Sequence, residues 1–157
     1  MLLNHYTACL EKYMCGKLAT MTNERGSIIN FSSLDTQSAA ALLPLMLHQS
    51  ASIFLGSDNT PETGESYKLK NKITSGLNVA LTRSVVDNDD GSHSSVVVAT
   101  CTNTSSDPIT IGEIGLGKYF RVYNAADDFL FDRTPLGTPL TIQPGEVGRI
   151  VYTITMS

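Results

Sequence analysis

From Ser52 to the end, the sequence is a series of short runs in which apolar and polar residues alternate, cut by clusters of Asp, Asn, Pro and Gly. Alternation at a period of two matches a half-buried strand, whereas the faces of a helix repeat about every 3.6 residues. Leu77-Asn78-Val79-Ala80-Leu81-Thr82 alternates except at Ala80, and Ile109-Thr110-Ile111-Gly112-Glu113-Ile114 alternates cleanly. Ser52 to Gly56, Ser94 to Thr104, Tyr119 to Tyr123, Phe129 to Arg133, Leu140 to Ile142 and Arg149 to Met156 complete a set of about eight short strands, the mark of a sandwich or a partly closed barrel. Ser94 to Thr104 and the strand around Tyr152 carry side chains suited to two covered faces, which places both centrally. The core is expected to contain Val79, Leu81, Val97, Ile111, Ile142, Val151 and Ile154.

Composition agrees with an all-β chain. Of 157 residues 41% are hydrophobic and only 17% charged, and 17 Thr with 16 Ser fill the difference. Thr, Val, Ile and Tyr suit a pleated surface. Lys+Arg 11 against Asp+Glu 15, a net charge of −4, leaves no basic footprint for nucleic acid. No apolar run reaches the roughly 20 residues that cross a bilayer, and Ala39 to Leu47 is broken by Pro44. Met1 to Tyr6 lacks the pattern of a secretory signal. Cys9, Cys15 and Cys101 show no metal-ligand spacing and read as reduced thiols used as small core residues.

Residues 1–50 read differently and form an N-terminal helical or attachment segment ahead of a β-domain at 51–157. Leu3, Tyr6, Leu10, Tyr13 and Met14 recur at steps that place them on one helical face, with Gly16 where a C-cap falls. This stripe is the candidate partner contact. Ser27 to Phe31 is a candidate strand, and Asp35 to Gln49 a candidate helix capped by Asp35.

No pattern names a reaction. His5, His48 and His93 neighbour no nucleophile motif, and G-x-S-x-G, H-E-x-x-H and Walker sequences are absent. Gly112-Glu113-Ile114-Gly115-Leu116-Gly117 fails the dinucleotide fingerprint and reads as a bulged strand where a Cβ would clash. Asp87-Asn88-Asp89-Asp90-Gly91 invites a calcium loop, but Ser92 and Val98 stand where that loop needs Gly and Glu, so it reads as a hairpin turn. Asp127-Asp128 and Glu62 to Glu65 read as solvated, and Arg133 as a surface pair. Tyr67, Tyr119, Phe120, Tyr123, Phe129 and Phe131 suit either stacking on a sugar or base, or cross-strand pairs. The expectation is no enzyme, no catalytic or metal residue and no cofactor.

Three stretches carry a resemblance. Ile53 to Leu69, with Leu55-Gly56-Ser57-Asp58-Asn59-Thr60-Pro61 and Tyr67-Lys68-Leu69, is similar to the "hydrophobic-G-(T/S)-G-(T/N)-T-x-P-x-x-x-D-Y-x-L" stretch of many small bacteriophage structural proteins. It differs at Asp58, where that family more often has Gly, and at Ser66, where Asp is usual. Ile109 to Leu116 resembles their "I-T-(I/V)-x-E-(I/A)-G-L" strand. Leu130-Phe131-Asp132-Arg133, Pro139 to Glu146 and Val151 to Ile154 resemble their "L-x-x-R … P-(V/L)-T-I-x-P-G-E … (T/W)-Y-T-(I/L)" ending. The resemblance implies an antiparallel β-sandwich, immunoglobulin-like or jelly-roll-like, with an N-terminal helical segment. It also implies a non-enzymatic virion component made in the host cytoplasm and assembled on a capsid, collar, tail or fibre. Its partners would be other virion proteins and copies of itself, with no nucleic acid or membrane. The alternative is an adhesin module that binds a host receptor or surface glycan.

Overall fold

The computed structural model describes residues 19–31, 52–122 and 125–156. Its strands are β1 (Ala19–Thr22), β2 (Ile28–Phe31), β3 (Ser52–Gly56), β4 (Leu77–Asp87), β5 (His93–Asn103), β6 (Ile109–Val122), β7 (Ala125–Ile142) and β8 (Val147–Met156). All pairings are antiparallel, and no helix occurs among the described residues. β1 and β2 form a hairpin, β3-β6-β7 one three-stranded sheet and β4-β5-β8 another. The expected N-terminal helix, with Leu3, Tyr6, Leu10, Tyr13 and Met14, lies outside the described residues, as do Asp35 to Gln49.

The two three-stranded sheets share one apolar cluster. Ile53 and Leu55 from β3, Ile111, Ile114 and Leu116 from β6 and Ile142 from β7 meet Val97, Ala99 and Cys101 from β5 and Ile150 from β8. Ala99 and Cys101 are completely buried, and small residues there suit close approach of the sheets. Burial also raises the Cys101 thiol pKa, so it sits as an inert thiol in the core.

Several expectations are corrected. Val151 is 48% exposed, because it pairs with Val98 on the face of β8 turned away from the cluster. Val79, Leu81 and Ile154 are partly buried against the cluster instead of within it. β8 is an edge strand and only β5 is central in its sheet. Tyr119 to Val122 joins Ile109 to Ile114 in β6, and Phe129 to Arg133 joins Leu140 to Ile142 in β7. The glycine-rich stretch, by contrast, is the bulged strand expected of it, with register shifts between Ile111 and Glu113 and between Leu116 and Gly117.

The chain crosses from one sheet to the other after β3, β5 and β7, and Asn103 ties the last two crossings together. Its amide Nδ2 donates to the carbonyls of Asp107 and Ile142, each at 2.8 Å, and its Oδ1 accepts the Ser105 N–H at 2.9 Å. Its backbone N–H donates to Glu146 O, and its carbonyl accepts the Gly145 N–H. Gly145 has φ +77°, as the Pro-Gly turn before β8 requires.

Candidate functional site: a buried arginine beneath a loop

Between β3 and β4 the chain makes the excursion 57–76, which returns along the outer edge of β3. The Ser57 N–H donates to Asn71 O, the Ile73 N–H donates to Leu55 O, and Gly56 bridges Lys72. The β3-β6-β7 sheet is therefore covered on both faces, by the shared core on one side and by this loop on the other. Leu69 packs under the loop against Leu130 and Phe54. Gly112 lies beneath it: a Cβ there would come within 2.6 Å of Ser57 O and 3.0 Å of Asp58 O. The glycine-rich stretch is thus shaped by the loop pressed on it, with a bulge at Gly112.

Arg133 on β7 and Glu113 on β6 meet under this cover, and both side chains have no solvent exposure. Arg133 Nε donates to Glu113 Oε2 at 2.6 Å. Arg133 Nη1 donates to Thr60 O and to Glu62 Oε2, each at 3.1 Å, and Nη2 to Asp58 Oδ1 at 3.2 Å. Glu113 Oε1 accepts the Asn71 N–H at 2.8 Å. One guanidinium thus holds the outgoing arm of the loop, and its partner carboxylate holds the returning arm. A guanidinium suits this because its donors form a rigid fork and cannot be deprotonated. The surface pairing expected of Arg133 is overturned, and Glu62, with a side chain 5% exposed, is no solvated acid.

The loop also holds its own shape. Asp58 Oδ1 accepts from the Thr60 N–H and hydroxyl, and Lys70 Nζ donates to Thr60 Oγ1 at 2.6 Å. Glu62 Oε1 accepts from the N–H groups of Thr63 and Gly64 and from the Ser66 hydroxyl. At the far end, Lys72 Nζ pairs with Glu24 and Asp128 at 2.7 Å each and sits 4.1 Å from the centre of the Phe54 ring. The Glu24 N–H donates to Asp128 O, so this second tie joins the β1–β2 hairpin to β7.

These contacts fix the direction of titration. The Thr60 hydroxyl and N–H hold the Asp58 carboxyl below its ordinary 3.8, with help from the charges of Lys70 and Arg133. For Glu62, burial pushes upward, but the Gly64 N–H, the Ser66 hydroxyl and Arg133 outweigh it and keep the group below 4.5. Burial raises Asp132 above 3.8. Depressed carboxyls stabilise the fold fully above their unfolded values, and that contribution is lost as pH falls through the folded ones. Asp132 acts oppositely, since acid relieves the cost of burying its charge. Carboxyl-carbon NMR should place the midpoint of Glu62 below 4.5 and that of Asp132 above 3.8. A Glu62 midpoint at or above 4.5 would mean the loop is not seated on Arg133.

The arrangement fastens; it presents no nucleophile beside a base. Among the described residues, no group of three or more His, Cys, Asp or Glu is set to hold a metal. Asp90 turns its carboxylate onto the N–H and hydroxyl of Ser92, which closes the acidic segment as a hairpin turn. Phe129 and Phe131 are fully buried, and Tyr119 is the one exposed aromatic among the described side chains, at 62%. A groove of about 460 Å³ lies between β7 and β8, lined by Ile114, Asp132, Leu136, Tyr152 and Ile154. His5 and His48 lie outside the described residues, while His93 opens β5. Sequence reasoning missed the Arg133 cluster. The available signal was a charge within otherwise apolar strand segments, Glu113 between Ile111 and Ile114 and Arg133 after Leu130 and Phe131. Comparison with known protein families, curated proteins and solved structures finds no match to this chain.

Proposed function

We propose that the two sheets form an antiparallel β-sandwich and that the chain is a non-enzymatic structural component of a bacteriophage virion. In this reading it is made in the host cytoplasm and assembled with other virion proteins and copies of itself. The supporting observation is where the three resembling stretches converge. The first supplies Asp58, Thr60 and Glu62, the second Glu113 and the third Arg133, and all five meet in one cluster. Residues so far apart in sequence serve there to clamp a loop onto a sheet, which suits a rigid building block better than a site that turns over substrate. Burial of Phe129 and Phe131 removes two of the aromatics that an adhesin would use to stack on a sugar.

The test is mass spectrometry of gradient-purified particles from the culture whose genome encodes the chain, followed by assignment of the chain in a particle map. Its peptides are expected at a fixed stoichiometry to the major virion protein. Their absence from particles, with the chain only in the soluble fraction, would overturn the reading.

A further inference from the structure

The Arg133 cluster fastens the loop by ion pairs alone. The tie at the far end of the loop has what that cluster lacks, a primary amine set between two carboxyls. Lys72 Nζ lies 2.7 Å from Asp128 Oδ2 and 2.7 Å from Glu24 Oε2. The three side chains come from three separate segments, and backbone bonds pin each of them. Gly56 bridges Lys72 and the Ile73 N–H donates to Leu55 O, which fixes the lysine to the edge of β3. The Glu24 N–H donates to Asp128 O, which sets the two carboxyls side by side. The Phe54 ring, centred 4.1 Å from Nζ, closes one side of the amine to water.

We propose that Lys72 and Asp128 join in an amide bond within the chain, with Glu24 as the proton carrier. Lys72 Nζ attacks Cγ of Asp128; the Nζ–Cγ bond forms, one Cγ–O bond breaks, and that oxygen leaves as water. Of the three protons on the ammonium, one stays on the amide and two leave with the water, so no oxidant or other reactant is needed. Burial opposes the charge on Lys72, but the hydrogen bonds to Asp128 and Glu24 outweigh it and raise its pKa, so the amine rests as an ammonium. It becomes a nucleophile only after a proton passes to Glu24, which then hands it to the departing oxygen. Closure is therefore a slow step that follows folding, driven by contact that free lysine and aspartate lack. Asp128 is the acyl group because it lies on β7, where the sheet fixes it, and its side chain is 26% exposed, so water can depart. The Glu24 side chain is 14% exposed, and less water competes there for the proton it relays. The bond makes permanent a tie between the returning arm of the loop and β7. It is a single self-modification and not turnover, and it does not depend on the virion reading.

Intact-mass spectrometry of the full chain tests it, from freshly purified protein to protein held for days at room temperature. The mass should fall below that of the sequence by one water. Tryptic digestion should then give a branched peptide joining the segments around Lys72 and Asp128, with no cleavage after Lys72. Lys72→Arg and Asp128→Ala, shown by circular dichroism to be folded, should keep their full masses. Glu24→Gln should lose water at least ~100-fold more slowly than wild type. The branched peptide of the wild-type chain decides the matter even where a variant fails to fold. A wild-type chain that keeps its full mass, a branch from Lys72 to Glu24, or water lost instead as a cyclic imide at Asp90-Gly91 would each overturn the bond. Closure of Glu24→Gln at the wild-type rate would overturn the role of Glu24.

Discussion

Arg133→Met is expected to lower unfolding stability by about 3–5 kcal/mol, because removing one partner of a buried pair leaves the other charge uncompensated. The charge left behind is Glu113, fully buried, with the N–H groups of Asn71 and Lys70 as its remaining donors in this cluster. Methionine keeps much of the length and apolar bulk of arginine, so a cavity contributes little to the loss. Arg133→Lys should fall between, since one ammonium cannot reproduce the fork that reaches Glu113, Thr60, Glu62 and Asp58 together. Urea unfolding measures both. The denaturant slope is informative as well: a native state whose loop has lifted already exposes surface and should unfold with a smaller slope. A loss below about 1 kcal/mol for Arg133→Met would place the guanidinium in water.

Asn103→Ala is the second large effect, at about 2–4 kcal/mol, because it strands the buried Ile142 carbonyl and removes the bonds to Asp107 and Ser105 at the same corner. The carbonyls of Asp107 and Ile142 lose the amide that bridges them, and the Ser105 N–H loses its acceptor. The Ile142 bond joins β5 of one sheet to the end of β7 in the other, so the damage falls where the sheets are held together. Asn103→Asp separates the parts of this effect. It keeps an acceptor for Ser105 but turns a carboxylate toward two carbonyl oxygens, so at neutral pH it should be at least as costly as alanine. Acid should restore part of its loss, since a protonated carboxyl regains one donor. Equal stability of Asn103→Asp and wild type at neutral pH would show that the two carbonyls do not depend on this amide.

The strands were legible because a strand writes its buried face every second residue. Leu77 to Thr82 and Ile109 to Ile114 alternate in sequence and lie in β4 and β6. Strand order was not legible, because β8 shows the same alternation whether it is central or at an edge. Val151 illustrates the limit: its apolar side chain faces outward, level with Val98, and reads in sequence like a core residue. The Arg133 cluster was hidden for a related reason. Its partners Glu113 and Glu62 are 20 and 71 residues away, and no local pattern reports a contact of that range. The sequence did show charged residues inside apolar segments, which burial makes tolerable only with partners.

Native-state hydrogen exchange tests most directly whether the loop is a fixed cover of the sheet. The N–H groups of Ser57, Asn71 and Ile73 donate to Asn71 O, Glu113 Oε1 and Leu55 O respectively. They should exchange with protection close to that of core amides in β6 such as Ile114, and all three should lose protection together in Arg133→Met. Rapid exchange of these three amides in the wild-type chain, while β6 stays protected, would contradict the account and make the excursion an independently opening loop.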